Sequence, residues 1–95
     1  MEINRTNKNR EFDRVWENIV LHQGELFHTI TGKGFTYKVI DNDVYPTHIK
    51  SGHATKEGFR KAFGIGNIQG PGQLSAEGIM GPSYVYAILT DTRIK

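Results

Sequence analysis

Phe35-Thr36-Tyr37-Lys38-Val39-Ile40-Asp41-Asn42-Asp43-Val44 decides the fold of this 95-residue chain. Phe35, Tyr37 and Val39 alternate with Thr36 and Lys38, the period-two pattern of a strand with one buried face. Asp41-Asn42-Asp43 then supplies residues that tolerate positive φ or hydrogen-bond their own backbone, so the chain turns and comes back. Gly32-Lys33-Gly34 marks a second turn just upstream. The β-prone runs Glu25 to Thr31, Phe35 to Ile40 and Val44 to about Ile49 therefore read as a three-stranded antiparallel meander. Pro46 suits an edge position, because it has no N–H to give to a ladder.

Upstream of the meander the period changes to that of a helix. Phe12, Val15, Trp16, Ile19 and Val20 fall at i, i+3, i+4, i+7 and i+8 and share one stripe, against which the aromatic face of the middle strand packs. Arg10, Glu11, Asp13, Arg14, Glu17 and Asn18 take the other face. Gly24 supplies the stop. Residues 1–9 are polar and expected to fray, with Thr6 or Asn7 as the cap.

Downstream, Thr55 caps a second helix that turns Phe59, Ala62 and Phe63 inward and Lys56, Arg60 and Lys61 outward. Gly58 inside it costs about 1 kcal/mol relative to Ala. A glycine-rich segment, 64–82, follows, with six glycines and two prolines in its nineteen residues. It ends in Ser83-Tyr84-Val85-Tyr86-Ala87-Ile88-Leu89. Pro82 at a first helical position, or Ser83 as cap, starts a last helix there, with Tyr84, Ala87 and Ile88 on one side; the β propensity of the same run keeps a strand open. The expected architecture is one α+β domain over 1–95: helix, meander, second helix, long glycine-rich loop and a C-terminal helix or strand.

Composition narrows the function classes. The chain has no cysteine, which excludes disulfides, thiolate zinc sites and a cysteine nucleophile and fits a reducing, cytoplasmic setting. No run approaches the roughly 18 apolar residues of a membrane helix, and the N-terminus has no signal-peptide h-region. The net charge of +2 is unevenly spread: residues 50–95 hold six basic against three acidic groups, whereas 15–49 hold two against four. A pI near 9.0 is mildly favourable for a polyanion partner and argues against an acidic mimic of DNA.

The strings Gly24-Glu25-x-Phe27-x-Thr29-x-x-Gly32-Lys33-x-Phe35-Thr36-Tyr37, Phe59-x-Lys61-Ala62 and Gly81-Pro82-Ser83-Tyr84-Val85-Tyr86-Ala87-Ile88-Leu89-x-Asp91-x-Arg93-Ile94 resemble small proteins of Gram-positive bacteria and their mobile elements. That resemblance spans most of residues 12–94. It implies a folded, recurring module in a genome-defence or phage setting and carries no activity with it. Gly58 stands where an acidic residue is expected, which removes the reciprocal contact of a capping box.

No constellation in the chain reads as an active site. His48 and His53 flank one loop and His22 and His28 flank another, but neither pair has the i, i+4 spacing of a helical metal site, so no metal is expected. Gly66-x-x-x-Gly70-Pro71-Gly72 lacks the Gly-Lys-Ser/Thr of a phosphate loop, so no nucleotide cofactor is expected. Asp41 and Asp43 have no acidic-x-Lys element downstream, and Ser51, Ser75 and Ser83 lack a strained elbow. A non-enzymatic binding module is the reading that remains.

Two versions of it are expected. In the first, Lys50, Lys56, Arg60 and Lys61 bind the backbone of DNA or RNA while the 64–82 loop contacts grooves or single strands. In the second, a protein-interaction module such as a phage-borne inhibitor of a host defence nuclease uses apolar residues threaded through and beyond the glycine-rich segment, namely Ile68, Leu74, Ile79, Met80, Tyr84 and Tyr86. A loop that carries large apolar groups either packs back on its own domain or orders against a partner.

Overall fold

The computed structural model describes residues 2–47 and 53–95, and it is an α+β fold of four helices and two small antiparallel sheets. Helix α1 runs over Glu2–Leu21. It starts earlier than the sequence pattern implies, so Thr6 and Asn7 lie inside it and neither caps it. Nothing between Glu2 and Arg10 is Gly or Pro, and extending an existing helix adds one hydrogen bond per residue fixed. Phe12, Val15, Trp16 and Ile19 are buried as the stripe requires, whereas Val20 at its margin is partly open.

The expected meander divides into two sheets. Strand β1 (Phe27–His28) pairs with β2 (Gly34–Phe35), while β3 (Tyr37–Ile40) pairs with β4 (Asp43–Pro46), which also pairs with β5 (Ala54–Thr55). The break falls at Thr36. Its carbonyl accepts from the Thr47 N–H and its own N–H donates to the Thr47 hydroxyl, while the Tyr37 carbonyl accepts from Gly24. Both backbone groups of Thr36 are thereby satisfied outside a regular ladder, and the two hairpins part there.

The β3–β4 turn carries Asp41 and Asn42 at φ 52° and 67°, the left-handed pair that a two-residue hairpin loop requires. Pro46 sits at the end of the central strand rather than on an edge. Its ladder partner is Tyr37, and β5 reaches only Asp43 and Val44 on the other side, so its missing N–H breaks no bond. The third run was expected to reach about Ile49, and its last residues lie outside the described part of the chain.

Helix α2 spans Lys56–Ile65, with the Thr55 hydroxyl accepting from the Gly58 N–H at 2.9 Å. Gly58 has a packing reason to be glycine. A Cβ there would come within 3.2 Å of the capping Thr55 hydroxyl, a tight approach, whereas the Ile79 methyl at 3.5 Å would be in ordinary contact.

The glycine-rich segment is not one long loop. It contains α3 (Pro71–Ala76), whose Leu74 is completely buried, and Ile79 also reaches the core. The final run is helix α4 (Pro82–Leu89), with Pro82 in its first turn and Gly81 in the left-handed region before it. Val85, Ala87, Ile88 and Leu89 are buried, and Tyr84 meets Phe35 edge-on at 4.8 Å. The helix wins over the strand because both hairpins already have their partners and the open place is against α2 and α3, which α4 contacts. Among the described residues no helix is long and apolar enough to cross a membrane.

One core joins these elements. Phe27, Phe35, Tyr37, Phe59 and Leu74 lie at its centre, 0–1% exposed. Tyr37 donates its hydroxyl to the Ile19 carbonyl at 2.6 Å, which satisfies a polar group in the interior, and burial pushes its phenol pKa up.

Candidate functional site

Helix α2 brings three of the four basic residues onto neighbouring positions of one short element. Lys56 and Arg60 stand one turn apart on the side that faces α1. The Lys56 ammonium lies 5.4 Å from the centre of the Trp16 ring, and the Arg60 guanidinium lies 5.0 Å from that of Phe12. Each cation is thus held over an aromatic face by its quadrupole while its alkyl stem covers apolar surface. Arg60 also pairs with Glu57, three residues before it.

Lys61 turns about 100° around the helix, toward α3. Its ammonium donates to the Glu77 carbonyl at 2.8 Å and lies 4.0 Å from the Glu77 carboxylate. The Arg60 and Lys61 side chains remain 43% and 56% exposed, so both cations reach solvent beside their internal partners. Lys50, the fourth member of the expected set, lies outside the described residues.

The apolar set divides between interior and surface. Leu74 and Ile79 are core residues, and Tyr84, Tyr86 and Ile68 pack against the core with part of their surface open. Ile68 also lines a cleft of about 430 Å³ with Glu11, Phe63 and Leu89. Met80, 52% exposed at the turn before α4, is the one member of the set that presents most of its side chain to solvent. The six residues therefore form no continuous outer patch: the segment has packed back on its own domain.

A different surface escaped the sequence reading. On β3, β4 and the approach to β5, the side chains facing away from the core are Lys38, Ile40, Asp43, Tyr45 and His53, opposite the buried Tyr37, Val44 and Ala54. The Tyr45 and His53 rings stack with centres 4.9 Å apart and planes 28° from parallel, and His53 Nε2 lies 3.2 Å from an Asp43 carboxylate oxygen. The alternation Asp43, Val44, Tyr45, Pro46 was the available signal. Pro46 masks it by suiting an edge rather than a middle strand, and His53 reaches Tyr45 only through the fold.

Among the described residues, the densest polar network lies elsewhere. Arg93 makes a two-pronged pair with Asp91, both contacts 2.9 Å, and reaches back to Glu25 at 3.1 Å and to the Leu26 carbonyl at 2.9 Å. Its guanidinium covers the Phe27 ring at 3.8 Å. A hydrogen bond from His22, joined by Arg93, holds the Glu25 carboxyl below its ordinary pKa, and hydrogen bonding from Arg93 does the same for Asp91. With Asn18 donating to the Ile94 carbonyl at 2.9 Å, these contacts tie the end of the chain to α1 and β1. Arg93 gives four side-chain hydrogen bonds to internal partners, which makes this a fastening rather than a binding site.

Among the described residues no group of three or more His, Asp or Glu side chains is placed to hold a metal ion. Comparison with protein-family models, with curated proteins and with solved structures finds no match to this chain.

Proposed function

We propose that this chain is a non-enzymatic nucleic-acid-binding module in which Lys56, Arg60 and Lys61 of α2 contact the phosphate backbone. The observation that carries the reading is the pair of cation–aromatic contacts, Lys56 over Trp16 and Arg60 over Phe12. They restrain two long side chains one turn apart, so less rotamer entropy is lost when a phosphate is engaged. Arg60 keeps a planar fork suited to phosphate oxygens, and Lys61 adds a third charge beside it. Glu57 and Glu77 compete for the same cations, which favours exchange of one anion for another over permanent binding. A bacterial genome-defence or phage setting, as the sequence resemblance implies, accords with an accessory domain of this kind.

The test is fluorescence anisotropy with a labelled 15-nucleotide oligo-dT and a 15-base-pair duplex. Wild type binds both, and R60E/K61E loses binding by at least tenfold while circular dichroism shows it still folded at the assay temperature. Unchanged affinity in the double variant removes α2 from the mechanism.

The second reading, a protein-interaction module, has one observation of its own. Leu26 and Ile30 are 56% and 63% exposed, and they flank the outward-facing His28 on the β1–β2 hairpin. Retention of a host protein on the immobilised chain after nuclease treatment, lost in L26S/I30S, would support that alternative.

A further inference from the structure

We infer that the outer face of the β3–β4–β5 sheet is a stacking platform for an unpaired nucleobase, so that the module prefers single-stranded over duplex nucleic acid. This rests on the phosphate-binding reading of α2 and adds the form of nucleic acid to it.

Tyr45 points away from the core between the buried Val44 and Pro46, and the residue is 38% exposed. His53 stacks on one face of the ring, centres 4.9 Å apart, and lies beside the Asp43 carboxylate at 3.2 Å. The pair forms an aromatic surface on β4 just past the point where its pairing with β5 stops at Val44. Lys38 stands directly across the ladder from Tyr45, which places a cation beside the rings.

An open aromatic ring with an adjacent cation on an antiparallel sheet matches the chemistry of an unstacked base and its phosphate. Paired bases hide their faces in the stack and cannot use such a surface. An apolar protein partner would not need Lys38 at the rim, and the Asp43 carboxylate is turned to His53. DNA and RNA offer the same base face, so the platform takes either, and the 2′-hydroxyl decides only between them.

The experiment compares Y45A, Y45F and R60E/K61E against wild type by anisotropy, with labelled 15-nucleotide oligo-dT, 15-nucleotide oligo-U and a 15-base-pair duplex. Circular dichroism melting serves as the folding control: Y45A gives up the stack on His53 yet stays folded at the assay temperature, and Y45F keeps the ring. The platform predicts that Y45A loses about tenfold in affinity for both single strands, as removal of one base–aromatic stack does, that Y45F keeps it, and that duplex affinity is unchanged in both.

Wild-type single-strand affinity in Y45A, or equal losses on single strand and duplex, overturns the platform while leaving the α2 reading standing. Full binding by R60E/K61E together with selective loss in Y45A overturns the α2 reading and keeps the platform. Absence of binding by wild type to all three probes overturns both.

Discussion

The Arg93 guanidinium lies 3.8 Å from the centre of the Phe27 ring while the same group pairs with Asp91 and Glu25. One side chain near the end of the chain thereby closes over the first strand and joins segments 67 residues apart. Arg93→Ala removes the cation–aromatic contact and leaves two carboxylates without their cation. We predict a loss of about 1–3 kcal/mol in unfolding free energy, read from urea denaturation at neutral pH.

The same network sets a pH dependence. Glu25 and Asp91 both titrate lower in the folded protein than in the unfolded chain, so the unfolded state takes up protons first as pH falls. Their contribution is complete above the ordinary carboxylate range and is lost as pH drops through the lower folded values. The stability difference between wild type and Arg93→Ala therefore shrinks from pH 7 to about pH 3. A difference that stays constant over that interval would show that Arg93 acts through packing on Phe27 alone.

Leu74 tests whether the glycine-rich segment belongs to the core. Its side chain is fully buried, so Leu74→Ala is expected to cost about 2–5 kcal/mol. Met80, half exposed six residues later, is expected to accept Met80→Ser with a change below about 0.5 kcal/mol. Equal, small effects at both positions would mean that the segment is held by something other than its own domain.

Tyr37 supplies a sharper local test. Its hydroxyl donates to the Ile19 carbonyl in the last turn of α1, and Tyr37→Phe keeps the ring while leaving that carbonyl without its partner. The expected cost is about 1–3 kcal/mol, seen as a lower urea midpoint with an unchanged slope.

Most of the fold could be read from residues whose physics is local. The Phe12 to Ile19 stripe, the Asp41-Asn42 turn, the Thr55 cap and Pro82 at the head of α4 each act within a few residues of themselves. What escaped depended on long-range partners. Thr36 looks like any strand residue until Thr47 takes both of its backbone groups, and α3 is too short, with two glycines beside or within it, to declare itself by periodicity. The site was legible to the same extent. Lys56, Arg60 and Lys61 stand out as charges on a helix, but their aromatic supports come from α1, some forty residues earlier in the chain. Tyr45 and His53 meet only because β5 folds back along β4.

Salt dependence tests the central claim, phosphate contact by α2, most directly. The affinity of wild type for a 15-base-pair duplex is measured by anisotropy from about 50 to about 200 mM salt and plotted as log K against log salt concentration. Three phosphate contacts predict a slope of about −2.7, and R60E/K61E reduces its magnitude by about 1.8. A slope near zero, or the wild-type slope retained in R60E/K61E, would contradict the assignment of these cations to the nucleic-acid backbone.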